Sequence, residues 1–252
     1  MEPILDVKNL TKIFSSENKP DFTAVDRISF QLYPGETLGI VGESGSGKST
    51  LAKLITRLTD ITEGSVSLCG QDVTKVKGKQ LRSMYRSIQM VFQEPASSFD
   101  SRKTLGHGIG ESLRNAGMSK EETRKEVLRL LKQCGLSDEF AERYPHEVSG
   151  GQCQRAAIAR ALAIQPQILI CDEATSALDV TVQQQIMDLL KKLKEDHNLS
   201  YLFICHNLAL VQSFCDRVLV MYDGKIVEEG TPEEVIQCPK SEYARQLIEA
   251  AF

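Results

Sequence analysis

The sequence predicts an α/β fold built on a mainly parallel sheet. Three observations lead there. Short apolar runs alternate with stretches of helical periodicity over the first ninety residues and again after residue 150. A glycine-rich loop joins one apolar run directly to a helical stretch. Between them, residues 104–147 carry helical patterning and no convincing strand, as expected of a helical insertion in an α/β core.

The elements follow in order. Residues 4–8, 28–33 and 37–41 read as strands, separated by the polar stretch 15–21 and by the turn Tyr33-Pro34-Gly35. A helix is expected from Ser49 to about Leu58, then strands at 66–68 and 88–92. In the middle third, Ser119 with Glu122 forms a capping box. Behind it Val127, Leu128, Leu130, Leu131 and Cys134 make an apolar stripe at helical spacing. A helix at 151–164, a strand at 167–171, a helix at 180–194 and a strand at 200–205 follow. Strands at 217–221 and 225–229 flank the turn Tyr222-Asp223-Gly224. Thr231-Pro232-Glu233-Glu234 opens a further capped helix with proline at its first position.

Composition narrows the class. The chain has 252 residues, 41% of them apolar and 25% charged, which supports a core and excludes disorder. Thirty basic against 34 acidic side chains give a net charge of −4, against the basic footprint of a nucleic-acid binder. The longest clean apolar runs are strand-sized, far short of the ~20 residues of a membrane span. Residues 1–10 lack the pattern of a secretory signal, so the chain is expected to remain in the cytoplasm. The seven cysteines stand at least ten residues apart, which fits neither a zinc site nor a disulfide framework. Reduced thiols are the expectation, with Cys171 and Cys205 buried in strand patterns.

Two stretches carry the chemistry. Gly42-Glu43-Ser44-Gly45-Ser46-Gly47-Lys48-Ser49 has the GxxxxGK[ST] spacing and lies between a strand and a helix, the setting of a P-loop. Glycines let successive N–H groups turn towards phosphate oxygens, and the helix start adds its positive end. Lys48 is placed to bridge the β- and γ-phosphates, and the Ser49 hydroxyl to ligate Mg²⁺. The apolar strand 168–171 runs into Asp172-Glu173. Asp172 suits the magnesium side of a P-loop site. Glu173, expected on the opposite side of an extended chain, suits a general base for an attacking water.

The order of further motifs resembles the ABC ATPase family. Gln93 ends one strand, Val148-Ser149-Gly150-Gly151-Gln152 precedes the Asp172-Glu173 strand, Ser176-Ala177-Leu178-Asp179 follows it, and His206 ends the next strand. These are similar to the Q-loop, signature, D-loop and H-loop of that family, and with the P-loop and Walker B strand they span nearly the whole chain. The resemblance implies a P-loop NTPase fold of ABC ATPase type. A mainly parallel core sheet would carry an N-terminal antiparallel β region and an inserted helical subdomain. Residues 1–252 would form one nucleotide-binding domain, with the Q-loop segment and helical subdomain at about 94–160.

The same resemblance implies roles. ATP and Mg²⁺ are the expected cofactors. Phe14 would stack on adenine, and residues Gly42 to Thr50, including Ser44, Gly45, Ser46 and Gly47, would wrap the phosphates. Glu173, His206, Gln93 and Lys48 would form the catalytic group. Ser49, Gln93 and Asp172 would face the metal, Asp172 through water. Ser149, Gly150, Gly151 and Gln152 would act on the nucleotide of an opposite subunit, and Asp179 would lie at the dimer seam.

A closer resemblance, to the oligopeptide, dipeptide and nickel importers, rests on two segments, Val91 to Thr104 and Asp172 to Gln183. Gly151-Gln152-Cys153-Gln154-Arg155 is similar to the second of their two ATPase subunits. The implied assembly has a second ATPase subunit, sister chain or self, and two membrane-spanning permeases. A substrate-binding protein outside the membrane would engage it indirectly, and no nucleic acid is expected. The chain would sit at the cytoplasmic face of the membrane and power import of a peptide, nickel or similar small solute. The alternative is an ABC-type subunit of a soluble complex, such as a phosphonate-degrading one. Departures from the family pattern are Val148 in the signature, Cys205 and Asn207 beside His206, and Ser241-Glu242 where His-Pro is usual. Loss of an Asp at 207 would alter how the imidazole is oriented.

Overall fold

The computed structural model describes residues 1–16, 19–175 and 178–250. In chain order the elements are β1 (Leu5–Ser16), β2 (Lys19–Leu32), β3 (Thr37–Val41), α1 (Lys48–Ile55), β4 (Glu63–Leu68), β5 (Gln71–Asp72), α2 (Gly78–Ser87) and β6 (Ile88–Val91). Then come α3 (Leu105–Ile109), α4 (Glu111–Asn115), α5 (Lys120–Gln133), α6 (Gly150–Leu162), β7 (Ile168–Asp172), α7 (Val180–His197) and β8 (Ser200–Ile204). The last are α8 (Leu208–Phe214), β9 (Arg217–Tyr222), β10 (Lys225–Gly230), α9 (Pro232–Gln237) and α10 (Glu242–Glu249).

Two sheets form. An antiparallel sheet has the order β2-β1-β4-β5, and a second sheet has the order β10-β9-β3-β8-β7-β6. In the second, β9, β3, β8, β7 and β6 run parallel, and β10 alone pairs antiparallel. The predicted α/β class, the mainly parallel sheet and the antiparallel N-terminal region are all present.

The parallel strands are apolar on both faces because both faces are covered. Successive side chains alternate, so Ile168 and Ile170 of β7 enter one core while Leu169 and Cys171 enter the other. Leu202 and Ile204 of β8 divide from Tyr201 and Phe203 in the same way. One core takes the apolar faces of α1 and the antiparallel sheet, through Leu51, Leu54, Val7 and Val66. The other takes α3, α5, α6 and α7, through Leu105, Val127, Leu131, Ile158 and Leu190.

Turn chemistry sets the connections. Gly35 has φ +74° after Pro34, as a type II turn requires. Asp223 and Gly224 both take positive φ (45° and 75°), which gives β9 and β10 a tight hairpin turn of the I′ kind. The capping box predicted at Ser119/Glu122 is formed, and the capped helix predicted at Thr231 opens with a capping box between Thr231 and Glu234.

Several boundaries differ from the sequence expectation. The first two strands are much longer than 4–8 and 28–33, and most of the polar stretch 15–21 outside the undescribed residues 17–18 is paired strand. Phe14 pairs Phe22 and Ser16 pairs Lys19, so backbone pairing carries the two strands on beyond their apolar residues. The first helix stops at Ile55, α7 continues to His197, and Asn198 in the left-handed region ends it. Strand β5 and helices α2, α8 and α10 are additions to the elements expected from the sequence. Cys205 lies just beyond β8 and is buried, as is Cys171 within β7, and all seven cysteines are free.

Candidate nucleotide site

The site residues gather at the carboxyl ends of four neighbouring parallel strands, β3, β8, β7 and β6, where ligands of open α/β sheets bind. The loop 42–47 leaves β3 and feeds α1. Its glycines are required at two places. Gly42 has φ +151° and a side chain there would meet the Met221 carbonyl oxygen at 2.1 Å. Gly47 has φ +103° and a side chain there would meet the Ala24 carbonyl oxygen at 2.3 Å.

Lys48 is buried beneath this loop. Its ammonium donates to the carbonyl oxygens of Gly42 (2.7 Å) and Glu43 (2.6 Å) and to Ser46 Oγ (3.4 Å). Burial lowers its pKa, and the nearby Glu173 and Asp172 carboxylates oppose that. The Ser49 hydroxyl donates to Asp172 Oδ1 at 2.9 Å. Burial raises the Asp172 pKa, against the pull of the Ser49 hydrogen bond.

Glu173 is the meeting point of the remaining polar groups. The Gln93 side-chain amide donates to Glu173 Oε2 at 2.9 Å, and His206 Nδ1 lies 3.9 Å from Glu173 Oε1. The sequence expectation placed Glu173 opposite Asp172 on an extended chain. Instead Glu173 stands past the end of β7 with φ +48°, in the left-handed region. Its amide is held by the Ile204 carbonyl at 3.0 Å. This backbone reversal, rather than strand pleating, directs Asp172 to Ser49 and Glu173 to Gln93 and His206.

The signature residues form a separate structure. Ser149 caps α6, its hydroxyl accepting the Gln152 N–H while Gln152 Oε1 accepts the Ser149 N–H at 2.9 Å. Ser149 and Gly150 are exposed. The helix opens at Gly150, one residue earlier than expected. Gly151 packs so tightly on α7 that a side chain there would meet Val182 Cγ1 at 2.4 Å. Among the described residues no hydrogen bond joins residues 149–152 to the loop 42–47 of the same chain. Val148 is partly buried and packs against the core, as an apolar signature residue should.

Asp179 caps α7 by accepting the Val182 N–H at 3.0 Å, and the neighbouring Val180 is 81% exposed. Ser176 and Ala177 lie outside the described residues. Phe14 is exposed on β1 with the Lys12 ammonium 4.9 Å from its ring, so it is not a core aromatic. Asn207 caps α8, accepting the N–H groups of Ala209 and Leu210. Its Oδ1 is committed to the backbone of α8, and a capping residue after an apolar strand was the sequence signal for that helix. Ser241 likewise caps α10 by accepting the Ala244 N–H at 3.1 Å.

Fold and site together define an ATP-binding cassette: a P-loop, an acidic strand end and a capped signature helix on one α/β frame. Residues 25–176 match the ABC transporter family, and the chain belongs to it. It is an ABC ATPase. It is 47% identical to the oligopeptide transport ATP-binding protein OppF of Escherichia coli, over 90% of this chain and 69% of that one. It is 43% identical to the glutathione import ATP-binding protein GsiA of Pectobacterium atrosepticum over 99% of this chain, which spans 41% of GsiA. Among solved structures, the dimeric cassette MJ0796 in a post-hydrolysis state bound to ADP and phosphate superimposes with a TM-score of 0.83 at 33% identity. That match covers 90% of this chain and 98% of MJ0796.

Proposed function

We propose that this chain powers import of a peptide, nickel or similar small solute, working as one of two ATPase subunits docked beneath two membrane-spanning permeases. Support comes from the similarity to OppF and GsiA, whose names specify oligopeptide transport and glutathione import. Among the described residues no helix is long and apolar enough to cross a membrane, so permease subunits would supply the passage. Docking would place the chain peripherally at the cytoplasmic face of the membrane. A substrate-binding protein would deliver the cargo without touching this chain.

The observation that carries the chemical reading is the convergence of Gln93 and His206 on Glu173, beside the phosphate loop. Glu173 would accept a proton from the water that attacks the γ-phosphate. His206 and Gln93 would hold that water and the carboxylate in line. Lys48 would exchange the carbonyls of Gly42 and Glu43 for phosphate oxygens as ATP enters, stabilising the charge of the transferred group. Ser149 and Gly150, exposed at the start of α6, would bind the nucleotide of the opposite subunit. Asp179 would lie at that seam, and Phe14 would stack on adenine. Residues 1–252 would act as one nucleotide-binding domain, in which about 94–160 form the segment that moves with the permease.

The donor set fits magnesium. Ser49, Asp172 and Gln93 offer hard oxygens, and Asp172 is a buried carboxylate whose hydroxyl partner could share it with a cation. Among the described residues no cluster of three His, Cys, Asp or Glu side chains forms a complete cage. That suits an ion that keeps water and phosphate ligands. Magnesium when bound would neutralise phosphate charge.

The test is purification of the tagged chain from its native cell in mild detergent, with partners identified by mass spectrometry. Two polytopic membrane proteins and a sister ATPase are expected. Recovery of soluble enzyme subunits alone would overturn the importer reading while leaving the ATP chemistry intact.

A further inference from the structure

The phosphate loop is held from outside by the end of the chain. Tyr243 of α10 places its hydroxyl oxygen 2.9 Å from the backbone nitrogen of Glu43 and accepts that N–H. The amide belongs to the Gly42–Glu43 peptide. The carbonyl of the same peptide, on Gly42, accepts the Lys48 ammonium at 2.7 Å. One peptide plane is thus fastened at both ends, by Lys48 and by Tyr243.

This plane needs fastening. Gly42 must be glycine, because the Met221 carbonyl fills its side-chain position. Glycine leaves both φ and ψ permissive, so residue 42 does not itself fix the following peptide. On the proposed reading, Lys48 would leave the Gly42 carbonyl for phosphate oxygens as nucleotide arrives. The Tyr243 bond would then keep the Gly42 carbonyl from swinging towards the incoming anion.

Tyr243 is itself held. Its ring packs on Tyr222 with centroids 4.2 Å apart. Tyr222 ends β9 beside the turn whose Gly224 N–H donates to the Ser46 carbonyl at 3.0 Å. The start of α10 is pinned by Glu228, which is buried on β10 and accepts the N–H groups of Lys240 (2.9 Å) and Ser241 (2.8 Å). A buried carboxylate spent on two backbone amides fixes that segment firmly.

We propose that Tyr243 is a positioning residue of the phosphate-binding loop, its hydroxyl locking the Gly42–Glu43 peptide in the orientation that receives nucleotide. The proposal rests on the reading of residues 42–49 as the ATP-binding loop. Tyr243 touches no reacting atom, so its effect falls on nucleotide affinity and not on the chemical step.

The test is Tyr243→Phe in the full chain, which keeps the ring against Tyr222 and removes the acceptor. ATP affinity is read by calorimetric titration with magnesium present, and KM and kcat by phosphate release. Loss of one such hydrogen bond should raise Kd and KM about three- to tenfold and leave kcat within about twofold. Tyr222→Phe, which keeps the stacked pair, should leave all three unchanged. Unchanged Kd and KM in Tyr243→Phe would overturn the proposal, as would a fall in kcat alone or a loss of thermal stability with KM preserved. A wild-type chain that bound no ATP would overturn the phosphate-loop reading and this proposal with it. Normal wild-type binding with a silent Tyr243→Phe would overturn the tyrosine's role alone.

Discussion

The hydroxyl of Ser49 donates to Asp172 Oδ1 at 2.9 Å across 123 residues of sequence. This bond ties the first turn of α1 to the end of β7, so the phosphate loop and the acidic strand end share one frame. Burial penalises the charged carboxylate, and the hydroxyl returns part of that penalty. On the proposed reading, Ser49 and Asp172 would hold the cation, Asp172 through water, and the cation would supply charge neutralisation.

Replacing Glu173 with Gln keeps the side chain's size and removes its capacity to take a proton. Hydrolysis should fall on the order of 10²–10⁴-fold, with ATP binding retained. Phosphate release and nucleotide titration on the same preparation check this, and normal turnover would remove Glu173 from the role of base.

Lys48→Ala should abolish tight ATP binding. The lysine is buried, and the carbonyls of Gly42 and Glu43 that it satisfies would be left without their ammonium. Titration with ATP should show no saturable binding at concentrations that saturate the wild type. Unchanged affinity would contradict the assignment of the loop.

Acid should loosen the end of the chain. Burial acts to raise the Glu228 pKa, but hydrogen bonds from the Lys240 and Ser241 amides outweigh it and hold the pKa below its ordinary 4.5. A lowered folded-state pKa means the stabilisation is full above pH 4.5 and is lost as pH falls through the lowered value. Glu228→Gln replaces a charged acceptor of two amides with a neutral one and should be less stable than wild type at pH 7, on the order of 1–3 kcal/mol. Urea unfolding at a series of pH values should show the two converging below pH 4.5.

Thiol reactivity should separate two cysteines from five. Cys69 and Cys238 are exposed, whereas Cys134, Cys153, Cys171, Cys205 and Cys215 are buried. Burial pushes Cys134 and Cys171 up to about 12 and Cys153 and Cys205 up to about 11, and it raises Cys215 as well. Little thiolate exists at pH 8 at those five sites. A chromogenic disulfide reagent should label two thiols in the native chain and all seven in denaturant.

The linear order of residues was enough for the α/β class, the Ser119 capping box and the glycine-rich loop between strand and helix, because each rests on short-range chemistry. A glycine-rich loop between strand and helix, or Ser119 three residues before Glu122, is visible within eight residues of chain. Tertiary structure decided what depends on backbone reversal and distant pairing. The left-handed turn at Glu173 gave the two carboxylates their separate partners, Ser49 for one and Gln93 with His206 for the other. Backbone pairing carried β1 as far as Ser16 and started β2 at Lys19, within a polar stretch that reads locally as a turn. The hold of Tyr243 on Glu43 spans 200 residues, and nothing local in either segment pairs the two until the fold brings them to 2.9 Å.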